Sequence, residues 1–230
     1  MTLLYRAMLV AALLLSGCSD DVDIYEPDPL VELDNQFETE ELWSTDIGDG
    51  TSDMSIKLAP VYAYGKIFVA DGSGSVAAVD PKNGDIEWQV DLETPIGGGP
   101  AVLSNLVAVG SQQGEVIVLD AASGEVKWRK PVSSEVIASP AIGEGFVVVR
   151  SVDGKITAFD AQTGEQKWIY DQSMPNLTLR GTSALVIVGG GVISGFSNGK
   201  LAVFLMKNGQ VAWEKTITAP IGQTEIQRLV

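Results

Sequence analysis

The sequence contains no histidine, so the side chain most often used as a general base and as a metal ligand is missing from all 230 residues. Its single cysteine, Cys18, excludes an internal disulfide, a CxxC redox pair and a cysteine zinc site. Basic residues are also few, since 15 stand against 30 acidic ones, and the net charge of −15 repels nucleic acid and anionic headgroups. These absences exclude much of enzymology, and we expect no bound metal and no nucleic-acid partner.

What is present is the composition of a folded protein, with 45% hydrophobic and 20% charged residues. Residues 1–17 have the order of a secretory signal: Arg6, an apolar run from Ala7 to Leu15, and two small residues before Cys18. The run is too short for a stable transmembrane helix, which takes about 20 residues.

The tetrapeptide Leu15-Ser16-Gly17-Cys18 resembles the lipobox of bacterial lipoproteins. The resemblance implies that residues 1–17 are removed and that Cys18 receives the lipid. In the sorting rule known for such proteins, aspartate after the cysteine favours inner-membrane retention, and here Ser19 stands there. The resemblance therefore implies a lipid anchor in the outer membrane of a Gram-negative bacterium, facing the periplasm.

Residues 18–41 are predicted to be the lipidated cysteine and an acidic tether, because ten acidic and no basic residues lie between Asp20 and Glu41. The alternative is a calcium site formed by the loosely spaced oxygen donors of Asp21, Asp23, Tyr25 and Asp28. The glycine and the terminal glutamate of a calcium loop are missing, which disfavours it.

Residues 42–230 carry an internal repeat that includes every tryptophan, with spacings of 45, 40, 40 and 45 residues. The tryptophans are Trp43, Trp88, Trp128, Trp168 and Trp213. The last four end the segments GSVAAVDPKNGDIEW, GEVIVLDAASGEVKW, GKITAFDAQTGEQKW and GKLAVFLMKNGQVAW. Apolar residues alternate with a period of two, and each Asp-x-x-x-Gly stretch favours a tight hairpin. Four strands per unit predict an all-β fold of propeller blades, in which each tryptophan packs against the neighbouring blade.

The pattern AxDxxTGxxxW, copied closely from Asp160 to Trp168, resembles the quinoprotein-type (PQQ-like) repeat. Together with the lipobox, the tether and the segment from Asn176 to Ser183, it resembles the BamB family of lipoproteins of the outer-membrane β-barrel assembly machinery. The resemblance implies a non-catalytic, eight-bladed scaffold without cofactor, which binds the POTRA domains of the barrel subunit and other subunits of the complex.

The connection from Trp168 to Leu185 spans 17 residues, whereas the connections from Trp88 to Pro100 and from Trp128 to Pro140 span 12. The extra five residues lie in a stretch with Leu177, Leu179 and Arg180, which by resemblance match the family's partner-binding loop. The alternative is that the leucines pack back onto the blade. The stretch from Trp43 to Pro60 also spans 17 residues, so length alone is weak evidence.

Four complete units end at Trp88, Trp128, Trp168 and Trp213, whereas the family has eight. We therefore expect the N-terminal half of a longer propeller or a truncated product, with four-bladed closure as the alternative. The segment around Trp43 is expected to be the final strand of a blade whose other strands do not precede it. Competing functions are a quinone-dependent dehydrogenase and a propeller that binds envelope polysaccharide or peptidoglycan.

Overall fold

The computed structural model describes residues 37–51, 56–171 and 183–218. Contacts divide the chain after Glu40 into two units, residues 1–40 and 41–230. In the described part of the first unit, residues 37–40, there is no regular secondary structure and Phe37 is exposed. Every described strand belongs to the second unit.

The described residues of the second unit contain no helix and form four antiparallel sheets of four strands each, which we number blades 1 to 4 in chain order. Blade 1 consists of β1 (Val61–Ala63), β2 (Lys66–Ala70), β3 (Ser75–Val79) and β4 (Ile86–Asp91), and blade 2 of β5 (Ile96–Leu103), β6 (Leu106–Ser111), β7 (Glu115–Asp120) and β8 (Val126–Pro131). Blade 3 consists of β9 (Ala141–Gly143), β10 (Phe146–Arg150), β11 (Ile156–Asp160) and β12 (Gln166–Tyr170), and blade 4 of β13 (Val186–Val188), β14 (Gly191–Gly195), β15 (Lys200–Leu205) and β16 (Val211–Thr216). The predicted all-β fold of four-stranded blades is confirmed.

Consecutive blades pack against each other because the strands are apolar on both faces. In β6, Val107 and Val109 point into the core shared with blade 1, while Leu106 and Ala108 point into the core shared with blade 3. A third core of the same kind joins blades 3 and 4 around Phe204. Because side chains alternate across a strand, one central strand contributes to two interblade cores.

Three of the tryptophans fasten each blade to the next one at its hairpin turn, the turn between the third and fourth strands (residues 80–84, 120–124, 160–164 and 205–209). In each case the indole N–H donates a hydrogen bond to a backbone carbonyl in the next blade. The pairs are Trp88 and Ala121 (3.1 Å), Trp128 and Ala161 (3.0 Å), and Trp168 and Met206 (2.6 Å). We call this contact the tryptophan clasp.

The ring of each clasp lies directly over the last glycine of the hairpin turn. A Cβ atom on Gly164 would come within 2.7 Å of the Trp128 ring, and the φ of this glycine is +68°. Only glycine satisfies both the close approach and the left-handed backbone. The predicted packing of tryptophan on the neighbouring blade is confirmed, and it accounts for the joint recurrence of tryptophan and turn glycine.

The two terminal tryptophans differ from each other. Trp43 makes the same clasp on blade 1, because its indole N–H donates to the Pro81 carbonyl at 3.0 Å and its ring covers Gly84. The described residues around it belong to no sheet, and the interpretation of this segment as the final strand of a blade whose other strands do not precede it stays a prediction. Side chains dock the segment on blade 1, including a 2.6 Å hydrogen bond from the Thr45 hydroxyl to the Gly84 carbonyl.

Trp213 of blade 4 is 46% exposed, whereas Trp128 and Trp168 are each 7% exposed. Blade 1 cannot receive Trp213 at its hairpin turn, because Trp43 already covers Gly84 there. The geometry of the clasp therefore opposes closure of these four blades on themselves.

Candidate functional site at the connections between blades

The blade connections and the middle turns lie at one end of each sheet. The middle turn joins the second strand of a blade to the third (residues 71–74, 111–114, 151–154 and 196–199). Because the strands are antiparallel, the fourth strand ends beside this turn, and the chain leaves for the next blade from the same end. The long connection singled out in the sequence, from Trp168 to Leu185, therefore belongs to this end of the molecule.

The first two connections are held by backbone hydrogen bonds to the middle turns. The amide of Leu92 donates to the Gly74 carbonyl at 3.0 Å, and the equivalent amide of Val132 donates to the Gly114 carbonyl at 2.8 Å. Each connection is also bonded to the middle turn of the blade that it enters. The turn amide of Gln112 donates to the Pro95 carbonyl of the first connection, and the turn amide of Val152 donates to the Glu135 carbonyl of the second. These bonds leave short segments that follow the sheet ends closely.

The third connection contains the predicted partner-binding residues Leu177, Leu179 and Arg180, and these lie outside the described residues, as does the predicted lipid site Cys18. The described flanks of this connection are anchored. Asp171 lies 3.5 Å from the Lys155 ammonium of blade 3. At the other flank Leu185, which occupies the place of Pro140, is buried in the core between blades 3 and 4.

The second flank is also bonded to Arg150, which sequence reasoning did not identify. Arg150 is the last residue of β10 and is 3% exposed. Its Nη1 donates to the Ser183 hydroxyl at 3.1 Å, to the Ser194 hydroxyl at 3.4 Å and to the Gly195 carbonyl. Aligning the repeat would have revealed it, because Ala70, Gly110 and Gly195 fill the equivalent positions.

Two carboxylates in the middle turns are held ionised by their hydrogen bonds. Burial is the strongest single influence on Asp71 and raises its pKa. The Ser73 hydroxyl and the amides of Ser75, Asp49 and Gly74 together outweigh burial, so the pKa of Asp71 lies below its ordinary value.

Asp153 in blade 3 follows the same pattern. Burial again raises its pKa most strongly of any single cause, while the hydroxyls of Ser151 and Ser133, with the amide and charge of Lys155, bring it below its ordinary value. Both carboxylates therefore act as acceptors that order the turn around them.

Within residues 37–51, 56–171 and 183–218 there is no cluster of three or more histidine, cysteine, aspartate or glutamate residues that could hold a metal. The same part of the chain has no helix that is long and apolar enough to cross a membrane.

A family model described as outer membrane protein assembly factor BamB matches residues 72–230. Among curated proteins, the outer membrane protein assembly factor BamB of Kangiella koreensis is 52% identical over 223 residues, which cover 97% of this chain and 57% of that protein. The protein of the same name from Aliivibrio fischeri is 48% identical over 94% of this chain and 57% of its own length. The chain thus spans 57% of the length of each relative.

Among solved structures, the crystal structure of BamB from Moraxella catarrhalis superposes with a TM-score of 0.71 and 24% identity, and covers 76% of this chain and 54% of that one. This likeness is independent evidence for the propeller fold.

Proposed function

Because the chain belongs to the family of outer membrane protein assembly factor BamB, we propose that it is a non-catalytic scaffold of the machinery that folds and inserts outer-membrane β-barrel proteins. Its role is to bind the periplasmic POTRA domains of the barrel subunit. The observation that carries the proposal is the family match over residues 72–230, which include blades 2 to 4 and the last two strands of blade 1. The relatives are named as assembly factors, which favours scaffolding over the dehydrogenase and polysaccharide-binding alternatives.

We propose further that Cys18 carries lipid, which anchors the protein in the outer membrane on the periplasmic side. The lipobox at Leu15 to Cys18 supports this location, as does the name of the relatives. The acidic segment from Asp20 to Glu41 then serves as the tether. Its length gives a typical reach of roughly 25 Å, which charge repulsion extends.

The proposed partner contact is the third blade connection, through Leu177, Leu179 and Arg180. The described flanks support a presenting role, because Leu185 is buried between the blades and Arg150 bonds to Ser183. The first two connections join equivalent blades with five fewer residues, so the fold itself does not require the insertion. Extra apolar residues on a surface connection are typical of a contact surface.

The test is a pull-down of purified POTRA domains by the chain that begins at Ser19. The test variant combines Leu177→Ala, Leu179→Ala and Arg180→Ala, and the control combines Glu93→Ala and Ser134→Ala in the two shorter connections. We expect the parent and the control to retain the POTRA domains and the test variant to lose them while its circular dichroism is unchanged.

If the parent does not bind, the remaining blades of the relatives are added to it. Binding by the extended chain supports the proposal and assigns part of the contact to those blades. Continued absence of binding contradicts it and favours the envelope-binding alternative.

A further inference from the structure

Arg150 stands at a position of the repeat where the other blades have a small residue. Ala70, Gly110 and Gly195 end the second strands of blades 1, 2 and 4. In blade 3 the last residue of the second strand is instead a long side chain, which extends into the interface with blade 4 and is buried there.

The connections that enter these interfaces show the opposite pattern. Ile96 in the first connection and Val136 in the second stand four residues before the recurring proline, and both side chains are buried between blades. Val136 covers Gly110, because a Cβ added to that glycine would lie 2.2 Å from it. The equivalent residue of the third connection, four before Leu185, is Gly181, which has no side chain. The large residue of this interface therefore belongs to blade 3 and not to the connection.

Arg150 holds the third connection through the hydroxyl of Ser183. Its Nη1 donates to this hydroxyl at 3.1 Å, and the hydroxyl donates to the Gly195 carbonyl at 2.9 Å. Nη1 also donates to the same carbonyl, so the three groups are bonded to one another. The centre of the Phe196 ring lies 4.7 Å from the Cζ atom, and this contact restricts the guanidinium group further. The connection is thus attached to a donor that is itself fixed between two blades.

This attachment defines where the third connection returns to the propeller. In the first two connections a buried apolar side chain holds the chain four residues before the recurring proline. In the third connection the contact with Arg150 falls at Ser183, two residues nearer to blade 4 than Gly181. Arg180 lies three residues before Ser183, so fixing Ser183 keeps the Arg180 Cα within about 11 Å of a defined point between blades 3 and 4.

We propose that Arg150 is a positioning residue for the partner contact, because by holding Ser183 it fixes the point from which Leu177, Leu179 and Arg180 reach the POTRA domains. The identity of the partner rests on the proposed function, whereas the attachment of Ser183 is a property of this chain alone. The two are therefore tested by separate measurements.

The attachment is tested by the rate of tryptic cleavage after Arg180, followed by mass spectrometry of the purified chain. Ser183 is the third residue beyond the cleaved bond, so it has to leave Arg150 before the segment enters the protease, and the rate follows the detached fraction. We expect Ser183→Ala to raise the rate about tenfold, because a hydrogen bond to a charged group is lost. Ser183→Thr keeps the hydroxyl and restores the rate of the parent.

Ser194→Ala is the matched control, because it removes the other hydroxyl that is bonded to Nη1 but lies within β14, and we expect it to leave the rate unchanged. A free peptide of residues 176–186 gives the rate of the fully detached segment. Cleavage after Arg129, in β8 of blade 2, reports unfolding of the whole propeller and stays slow in every variant.

The positioning role is tested by the dissociation constant for the POTRA domains. We expect Ser183→Ala to raise it at least about twofold, by the factor by which the attached fraction falls, while Ser183→Thr and Ser194→Ala match the parent. If the attached fraction falls too little in Ser183→Ala, Arg150→Met, which loses every bond of Nη1, takes its place.

Three results would overturn the proposal. An unchanged cleavage rate in Ser183→Ala, or an equal rise in Ser194→Ala or at Arg129, would show that Arg150 does not specifically hold the connection. A lower attached fraction with an unchanged dissociation constant would show that the attachment does not position the contact. If neither the parent nor the extended chain binds POTRA domains, the proposed function and the positioning role both fail, and the cleavage rates alone decide whether the attachment exists.

Discussion

The two interfaces on either side of blade 3 share the tryptophan clasp and an apolar core, but they are completed differently at the middle-turn end. Between blades 2 and 3, Val136 fills the space over Gly110 and the interface is closed. Between blades 3 and 4, Arg150 stands at the position of Gly110, bonds to Ser183 of the third connection and lines a cavity. The repeat thus constrains strands and clasps, while single residues at this end determine how each interface is filled.

The largest effect is expected from a substitution in the tryptophan clasp, which both interfaces share. Trp128→Ala removes a buried ring and its hydrogen bond to Ala161, and we expect a loss of about 3–5 kcal/mol in the free energy of unfolding, measured with urea. Trp213→Ala, the same change at a half-exposed ring, is the control and costs about 1 kcal/mol or less. Equal losses at the two positions would contradict the interpretation of the clasp as an interblade contact.

The next largest effect is expected when two glycines at equivalent positions of blades 2 and 4 are each replaced by alanine. Gly110→Ala places a methyl group 2.2 Å from Val136, and we expect it to destabilise the protein by about 1–3 kcal/mol. Gly195→Ala meets no atom closer than 3.6 Å, so it changes the free energy of unfolding little, by about 0.5 kcal/mol. A larger effect at Gly195 than at Gly110 would show that Val136 does not fill the space over Gly110 as described.

Replacing Arg150 tests the interface between blades 3 and 4 directly. Arg150→Met keeps most of the side-chain volume, loses the bonds to Ser183 and Gly195, and eliminates a buried charge with no counter-charge. Because these effects oppose each other, we expect a net change below about 1.5 kcal/mol in urea unfolding. A loss above about 3 kcal/mol would show that the bonds of Arg150 are a main support of blade 4.

The smallest effect concerns the acid dependence of the middle turns. The pKa of Asp71 in the fold lies below its ordinary value, so its contribution to stability is fully present above that ordinary value and is lost as the pH falls through the folded pKa. We expect Asp71→Asn to cost about 1 kcal/mol at pH 7 and less at pH 3, measured by urea unfolding at both values. Asp120→Asn, at a half-buried aspartate of a hairpin turn, is the comparison variant. A cost for Asp71→Asn that is independent of pH would contradict the role of ionisation.

The predicted strands and their arrangement in blades were recoverable because the period of two and the recurring tryptophan are local features of the sequence. Even the divergent fourth unit obeys them. Leu205 replaces the aspartate of its hairpin turn, yet the amide of Gly209 still donates to the Leu205 carbonyl at 2.8 Å, as the Gly164 amide does to Asp160. The backbone bonds suffice for this turn. The docking of Trp43 on blade 1 is a side-chain feature, since it consists of the indole hydrogen bond to Pro81 and the ring contact with Gly84.

The sequence by itself determined the four-stranded blades and the position of the long connection, because both depend on residue types at fixed spacing. Only the tertiary structure decided that the indole N–H groups reach carbonyls of the next blade, and that Arg150 lies buried between blades 3 and 4 with its Nε atom unpaired. Those contacts join residues that are more than thirty positions apart, such as Trp128 with Ala161 and Arg150 with Ser183. Their formation depends on how two sheets pack, and no local pattern encodes that packing.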